Sequence, residues 1–211
     1  MPDTILQLHL EHGRVGKLLD LVDRQLADIE NLRPPNVPLL QLVLDYLSAY
    51  PDECHHPKED LVYRMLASRY PDRARSLGPL VLEHEQLGRM TQDLRRALGT
   101  RMPQEHTSPT DEITERLREF VASYRRHMSM EEQHFFPVAL QFLTRNDWAE
   151  IDFAVFDQVD PMLDRNVEQR FAQLIDEIER MGQAQTASAA RLEEAARLNR
   201  RRWQYAGIYQ S

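Results

Sequence analysis

Leu10-Glu11-His12 and His55-His56-Pro57-Lys58-Glu59 are each answered further along the chain, by Leu82-Glu83-His84 and His127-Met128-Ser129-Met130-Glu131. The offset is constant: His12 recurs as His84, His55 as His127 and Glu59 as Glu131, each 72 residues later. Around these residues the apolar positions keep helical spacing. Ile5, Leu8, Val15, Leu18, Leu19, Val22, Leu26 and Ile29 line one face of a helix over roughly 4–32. Arg33-Pro34-Pro35-Asn36 ends it, because proline lacks the amide donor and disfavours helix in the residue before it. A second helical stretch runs from about Pro38 to Tyr70, interrupted by Pro51 and Pro57. A third opens at Pro71-Asp72 and reaches Leu98, before Gly99. Thr100 to Pro109 reads as a polar loop, and Thr110 or Asp111 caps a fourth helix reaching about Phe142.

In antiparallel helices, residues at one level lie equally far from the turn between them. The midpoint of His12 and His55 falls beside Pro34, that of His55 and His84 at Tyr70-Pro71, and that of His84 and His127 inside the polar loop. Breakers and histidines agree. The expected fold is therefore all-α, an up-down-up-down four-helix bundle with all four histidines in one layer and additional C-terminal helices. Thr144-Arg145-Asn146-Asp147-Trp148 reads as a cap and short helix to about Asp157, Asp160-Pro161 as a turn, and residues from about 165 to Met181 as an amphipathic helix. Gln183–Ala190 is small and polar and reads as a linker to a last helix, Leu192 to Tyr205. This divides the chain into a bundle with short capping helices, 1–182, and a C-terminal helical extension, 183–211, which carries five Arg against two Glu.

Residues four apart share a helix face. His55 with Glu59, and His127 with Glu131, therefore each present an imidazole and a carboxylate to the bundle axis. With His12 and His84 they form a candidate dinuclear metal site, carboxylates bridging and imidazoles terminal. That donor set suits iron, manganese or zinc, and no thiolate set is offered for a softer metal. Two inward glutamates without a cation would be costly to bury, so the layer needs counter-charge.

The run His55-His56-Pro57-Lys58-Glu59-Asp60, the segment Glu83-His84-Glu85, and His127 through Glu131-Glu132-Gln133-His134-Phe135-Phe136-Pro137, with His12, resemble the hemerythrin-like HHE cation-binding family. The resemblance covers about residues 4–180 and includes Asp147-Trp148 and Asp160-Pro161. It implies a non-haem di-iron centre with His12, His55, His84 and His127 as ligands and Glu59 and Glu131 as bridges. Oxygen-carrying hemerythrins have a further histidine one turn after the third-helix ligand, where this chain has Gly88, and a fourth-helix aspartate five residues after the histidine. The four-His, two-Glu layout is similar instead to members that include di-iron proteins linked to repair of iron–sulfur clusters under nitrosative stress. Gly16 and Gly88 read either as room for a small ligand or as sites of close helix crossing. Pro57 either bulges its helix beside the site or marks a helix restart.

The net charge of −8 argues against a general nucleic-acid binder, and no apolar run would span a bilayer. A lone Cys54 excludes an internal disulfide and fits a reducing cytoplasm. The expected function is a cytoplasmic non-haem di-iron protein that binds or reacts with O2, NO or peroxide in oxidative or nitrosative stress, by sensing, scavenging or iron-centre repair. The alternatives are a peroxide-decomposing or ferroxidase enzyme, or a regulatory module that engages a second copy or a protein partner through its C-terminal helix; whether the centre turns over is left open. His9, His56, His106 and His134 fall outside the duplicated register, His106 in the polar loop; Tyr124 stands one turn before His127, and Arg200-Arg201-Arg202-Trp203 lies in the last helix.

Overall fold

A computed structural model describes residues 1–78, 80–101, 111–158 and 161–206. The described residues are nearly all helical. Helix α1, Asp3–Glu30, ends where Leu32 takes a positive φ ahead of Pro34 and Pro35. Helix α2, Val37–Tyr50, is capped by the Asn36 side chain, which accepts from Leu39 N at 3.1 Å. It passes through a wide π turn, Pro51–His55, into α3, His56–Arg69. A short α4, Pro71–Ser76, leads to Gly78, whose φ of 81° favours glycine, and then to α5, Leu80–Arg101. Helix α6, Asp111–Met130, continues through a second π turn, Glu131–Phe135, into α7, Phe136–Phe142.

These segments build the four long helices of the bundle: α1, α2–α3, α5 and α6–α7. Neighbouring pairs α1–α2, α2–α5, α5–α6 and α6–α1 carry the packing. The third helix differs from the expected one, because the chain breaks at Leu77-Gly78 instead of running on from Pro71. Gly99 does not stop it; the helix continues to Arg101. The remainder of the polar loop, with His106, lies outside the described residues.

Two apolar cores fill the bundle, one at each end. The first joins Leu18, Leu19 and Val22 to Leu40, Val43, Leu44, Leu94, Leu117 and Phe120. The second joins Ile5 and Leu8 to Val62, Leu66, Leu80, Phe135 and Phe136. The layer of His12, His55, Glu59, His84, His127 and Glu131 lies between them in sequence along all four long helices.

Helix α8, Arg145–Gln158, closes the second core with Trp148 and Ile151. Its start is a reciprocal cap: Thr144 donates from N and Oγ1 to Asp147, at 2.8 and 2.7 Å, and Asp147 N donates back to Thr144 Oγ1. Arg69 Nε reaches Asp147 at 3.1 Å, and Thr4 reaches Asp152 through N and Oγ1, tying α8 to α3 and α1.

Helix α9, Pro161–Ala206, returns along the outside of α2. Phe171 sets its edge on the stacked rings of Tyr46 and Tyr50, Arg170 pairs with Glu53, and Ile178 enters the first core. Gly182 comes so close to α1 that a Cβ would sit 3.0 Å from Leu21 Cδ2. The linker expected over Gln183–Ala190 is helical, and the backbone has no break at 183. Gln185 still bonds Gln25 and Asp28 near the end of α1. Beyond it Thr186–Ser188 is exposed, and α9 runs on for roughly 30 Å at the helical rise. No helix of the described residues is long and apolar enough to cross a membrane.

Because Ile178 is fully buried, α9 is part of the core. Ile178→Ala is expected to destabilise the fold by about 2–5 kcal/mol. Urea unfolding with a change below about 0.5 kcal/mol would show that α9 packs loosely.

Candidate metal centre

The two π turns set the geometry of the layer. In each, an N–H reaches back five residues, His56 to Pro51 O and Phe136 to Glu131 O. Each ends two residues before a proline, Pro57 or Pro137, which has no amide to donate to the carbonyl four residues earlier. One extra residue in the turn absorbs that lost bond. Of the two readings open at Pro57, a bulge or a helix restart, the wide turn is the first, and nothing in the sequence reading pointed to a second at Pro137. The second arises from Pro137, eight residues beyond the position that matches Pro57 in the duplicated register. The wide turn therefore ends on His55 in one half and begins on Glu131 in the other.

All six predicted residues are buried and brought together. His12 Nε2 lies 3.2 Å from His55 Nε2 and 3.3 Å from Glu131 Oε2. His55 Nε2 is 3.3 Å from Glu59 Oε1. Across the layer, His84 Nε2 is 3.3 Å from both Glu59 Oε2 and Glu131 Oε1, and His127 Nε2 is 3.0 Å from Glu131 Oε1. Each glutamate thus faces imidazoles of both halves. Ligand atoms about 2.1 Å from one ion and at right angles are about 3 Å apart, which matches this spacing.

Glu59 and Glu131 have no exposed surface. Both Glu59 oxygens, Glu131 Oε2 and His127 Nε2 are buried with no hydrogen-bond partner among the described residues. Polar atoms left so are rare and costly. Four inward imidazoles and two carboxylates with three oxygens left unpartnered are the donor set of a hard or borderline cation, so the residues fit a metal. One group of ligand atoms within 4.8 Å comprises His12, His55, Glu59 and Glu131; another comprises His56, His84 and His127.

Around the layer stands a set of carboxylates. Glu11 accepts from His55 Nδ1 at 2.8 Å and from Lys58 Nζ at 2.6 Å. Glu83 faces His127 Nδ1 at 3.0 Å, and Glu132 faces His12 Nδ1 at 3.0 Å. Such partners fix the ring tautomer and strengthen the inward nitrogen as a donor. Glu11 and Glu83 were missed as functional residues in the sequence reading, although the duplicated Glu-His dipeptide carried the signal: each glutamate orients the histidine of the following long helix. His56 stacks flat on His84, ring centroids 3.8 Å apart, and its Nδ1 is 2.9 Å from Asp52. His9 sets its edge on Phe136 and lies 3.7 Å from Glu132.

The electrostatics follow from burial. Burial lowers the affinity of His55 for a proton, but Glu59 and Glu11 outweigh it and push the ring up to about 10. Burial likewise disfavours a charged His84, yet Glu131 and Glu59 raise it to about 9. His127 rises for the same reason, against burial and through Glu131. Burial opposes ionisation of Glu59 and Glu131, and the surrounding imidazoles still hold both below the ordinary carboxylate range. Burial also opposes ionisation of Glu11, and His55 and Lys58 overcome it, holding the carboxyl at about 2.

Beside the imidazoles is an enclosed cavity walled by Val15, Tyr50, Tyr124 and Met128. It leaves about 10 Å³ for the centre of a water-sized molecule, enough for one water or diatomic. A larger surface recess, about 460 Å³ by the same measure, reaches Glu83 and His127 and has His134 in its wall. A Cβ on Gly16 or Gly88 would meet nothing within 4 Å, so close helix crossing does not explain either glycine. Cys54 is half-buried and packs on the first core.

Removing the charge that orients His55 should weaken the site without unfolding it. Glu11→Gln is expected to reduce metal affinity about 10- to 100-fold with unchanged helicity, read by competition against a chelator. An unaltered affinity would show that Glu11 serves only the fold.

The sequence matches the hemerythrin HHE cation-binding domain over residues 3–139, which takes in all four long helices and the whole histidine and glutamate layer. No curated protein and no solved structure gives a significant match to the chain. With the match spanning more than half of its length, the chain belongs to the hemerythrin HHE cation-binding family.

Proposed function

We propose that this protein holds two iron ions, bridged by Glu59 and Glu131, and uses them to bind or react with O2, NO or peroxide in a stress response. His12 and His55 hold one ion and His84 and His127 the other. The observation that carries the reading is the pair of fully buried glutamates, each facing imidazoles of both halves with oxygens left unpartnered. Bound iron would supply open coordination positions to a small ligand. The chain's own part is to keep that ligand small: the cavity beside His12, His55 and His127 is about the size of one water or diatomic, and Tyr50, Tyr124 and Met128 wall it. Manganese or zinc fits the same donors, which makes metal analysis part of the test.

Anaerobic Fe(II)-loaded protein is expected to contain two irons per chain and to change its absorption spectrum on adding O2 or NO. His55→Ala should lower the iron content and alter that change. An iron-replete protein whose spectrum ignores O2, NO and peroxide would refute the reading.

A second expectation concerns pH. In the metal-free chain, protons on the imidazoles neutralise the glutamates. Their stabilisation is fully present below the ordinary imidazole value of about 6.5. It is lost as pH rises through about 9 for His84 and about 10 for His55. Metal has to expel the same protons, so its apparent affinity rises over that window. Metal-free stability should fall between about pH 6.5 and 10 while affinity for Mn(II), measured between about pH 6 and 8.5, increases. An affinity independent of pH would count against metal binding at these imidazoles.

A further inference from the structure

We infer that the two metal positions are unequal and that the ion held by His84 and His127 is the one that exchanges, because His84 alone lacks a carboxylate behind it. This rests on the two-metal reading above. Three of the four imidazoles have a carboxylate on Nδ1: Glu132 on His12, Glu11 on His55 and Glu83 on His127. Such a partner is worth about 10- to 100-fold in metal affinity. His84 Nδ1 has no hydrogen-bond partner among the described residues. Its ring is covered instead by His56, parallel within 9° at 3.8 Å. An imidazole has no negative charge to lend, so His84 stays the weaker donor.

The duplicated register shows how the asymmetry arises. The counterpart of Glu132 in the first half is Asp60, one methylene shorter, and it makes no hydrogen bond to His84 among the described residues. The counterpart of His56 in the second half is Met128, an apolar wall of the small cavity.

Two further observations point the same way. The four ligand atoms of His12, His55, Glu59 and Glu131 already converge within 4.8 Å, whereas the group that converges so around His84 is His56, His84 and His127, with the shared oxygens Glu59 Oε2 and Glu131 Oε1 at 3.3 Å from His84 Nε2. The surface recess also opens on the same side, onto Glu83 and His127 between Ser123, Ser129 and Gln133. Its oxygen-bearing walls suit a divalent cation that sheds its water stepwise. Arg126, in the same recess, donates to Ser123 Oγ at 3.1 Å.

The test is a chelator-buffered, anaerobic Fe(II) titration of the metal-free full chain. Two ions are expected, the second bound about tenfold or more weakly. His84→Ala should remove the weak step and keep the tight one. His56→Glu, which sets a carboxylate against His84, should tighten the weak step about tenfold. A total of one ion would refute the two-metal reading itself. Two ions of equal affinity would leave that reading standing and overturn the inequality, and the unsubstituted chain suffices for this even if a variant misfolds. Loss of the tight step in His84→Ala, or an unchanged weak step in folded His56→Glu, would also overturn it.

Discussion

Burying two carboxylates at the centre of an apolar bundle is the constraint on which this structure is built. Glu59 and Glu131 sit at the level where the chain passes from one apolar core to the other, with no exposed surface. Left alone, each would cost several kcal/mol. The histidines are the answer the sequence provides: every long helix delivers one to that level, and the carboxylates behind His12, His55 and His127 make those rings better partners for positive charge. Fold and site are one solution to one electrostatic problem.

Duplication supplies the layer, and small departures from duplication give it direction. Pro57 and Pro137 do not correspond in the repeat, so the wide turns flank the ligand pairs on opposite sides. Asp60 stands where the other half has Glu132, and His56 where it has Met128. Each change is a single side chain. Together they leave the two halves of a nominally symmetric layer with different surroundings.

Much of this was legible in the sequence. The four-helix path followed from Pro34, Pro71 and the polar loop, and the common level of His12, His55, His84 and His127 followed from their spacing about those breaks. The linker reading of Gln183–Ala190 fails because small polar residues do not by themselves signal flexibility. Alanine and glutamine are good helix formers, and Gly182 is held against Leu21 by packing that composition does not reveal. The second π turn was hidden because its cause, Pro137, lies outside the repeat. The role of Glu11 and Glu83 was hidden for another reason: each acts on a histidine of the next long helix, a contact seen only once the helices are assembled. The recess at His127 is walled by residues of both α5 and α6, which local pattern does not bring together.

The pairing of His55 and Lys58 on one carboxylate has a consequence for how the layer can change its charge. Lys58 is partly exposed, at 17% of its side chain, while His55 and Glu11 lie beneath it. Two donors converging on Glu11 keep that carboxylate ionised, and the hydrogen on His55 Nδ1 stays in place. Only the inward Nε2 is then left to give up a proton for a metal ion, so this ring can be approached by its cation from one side alone.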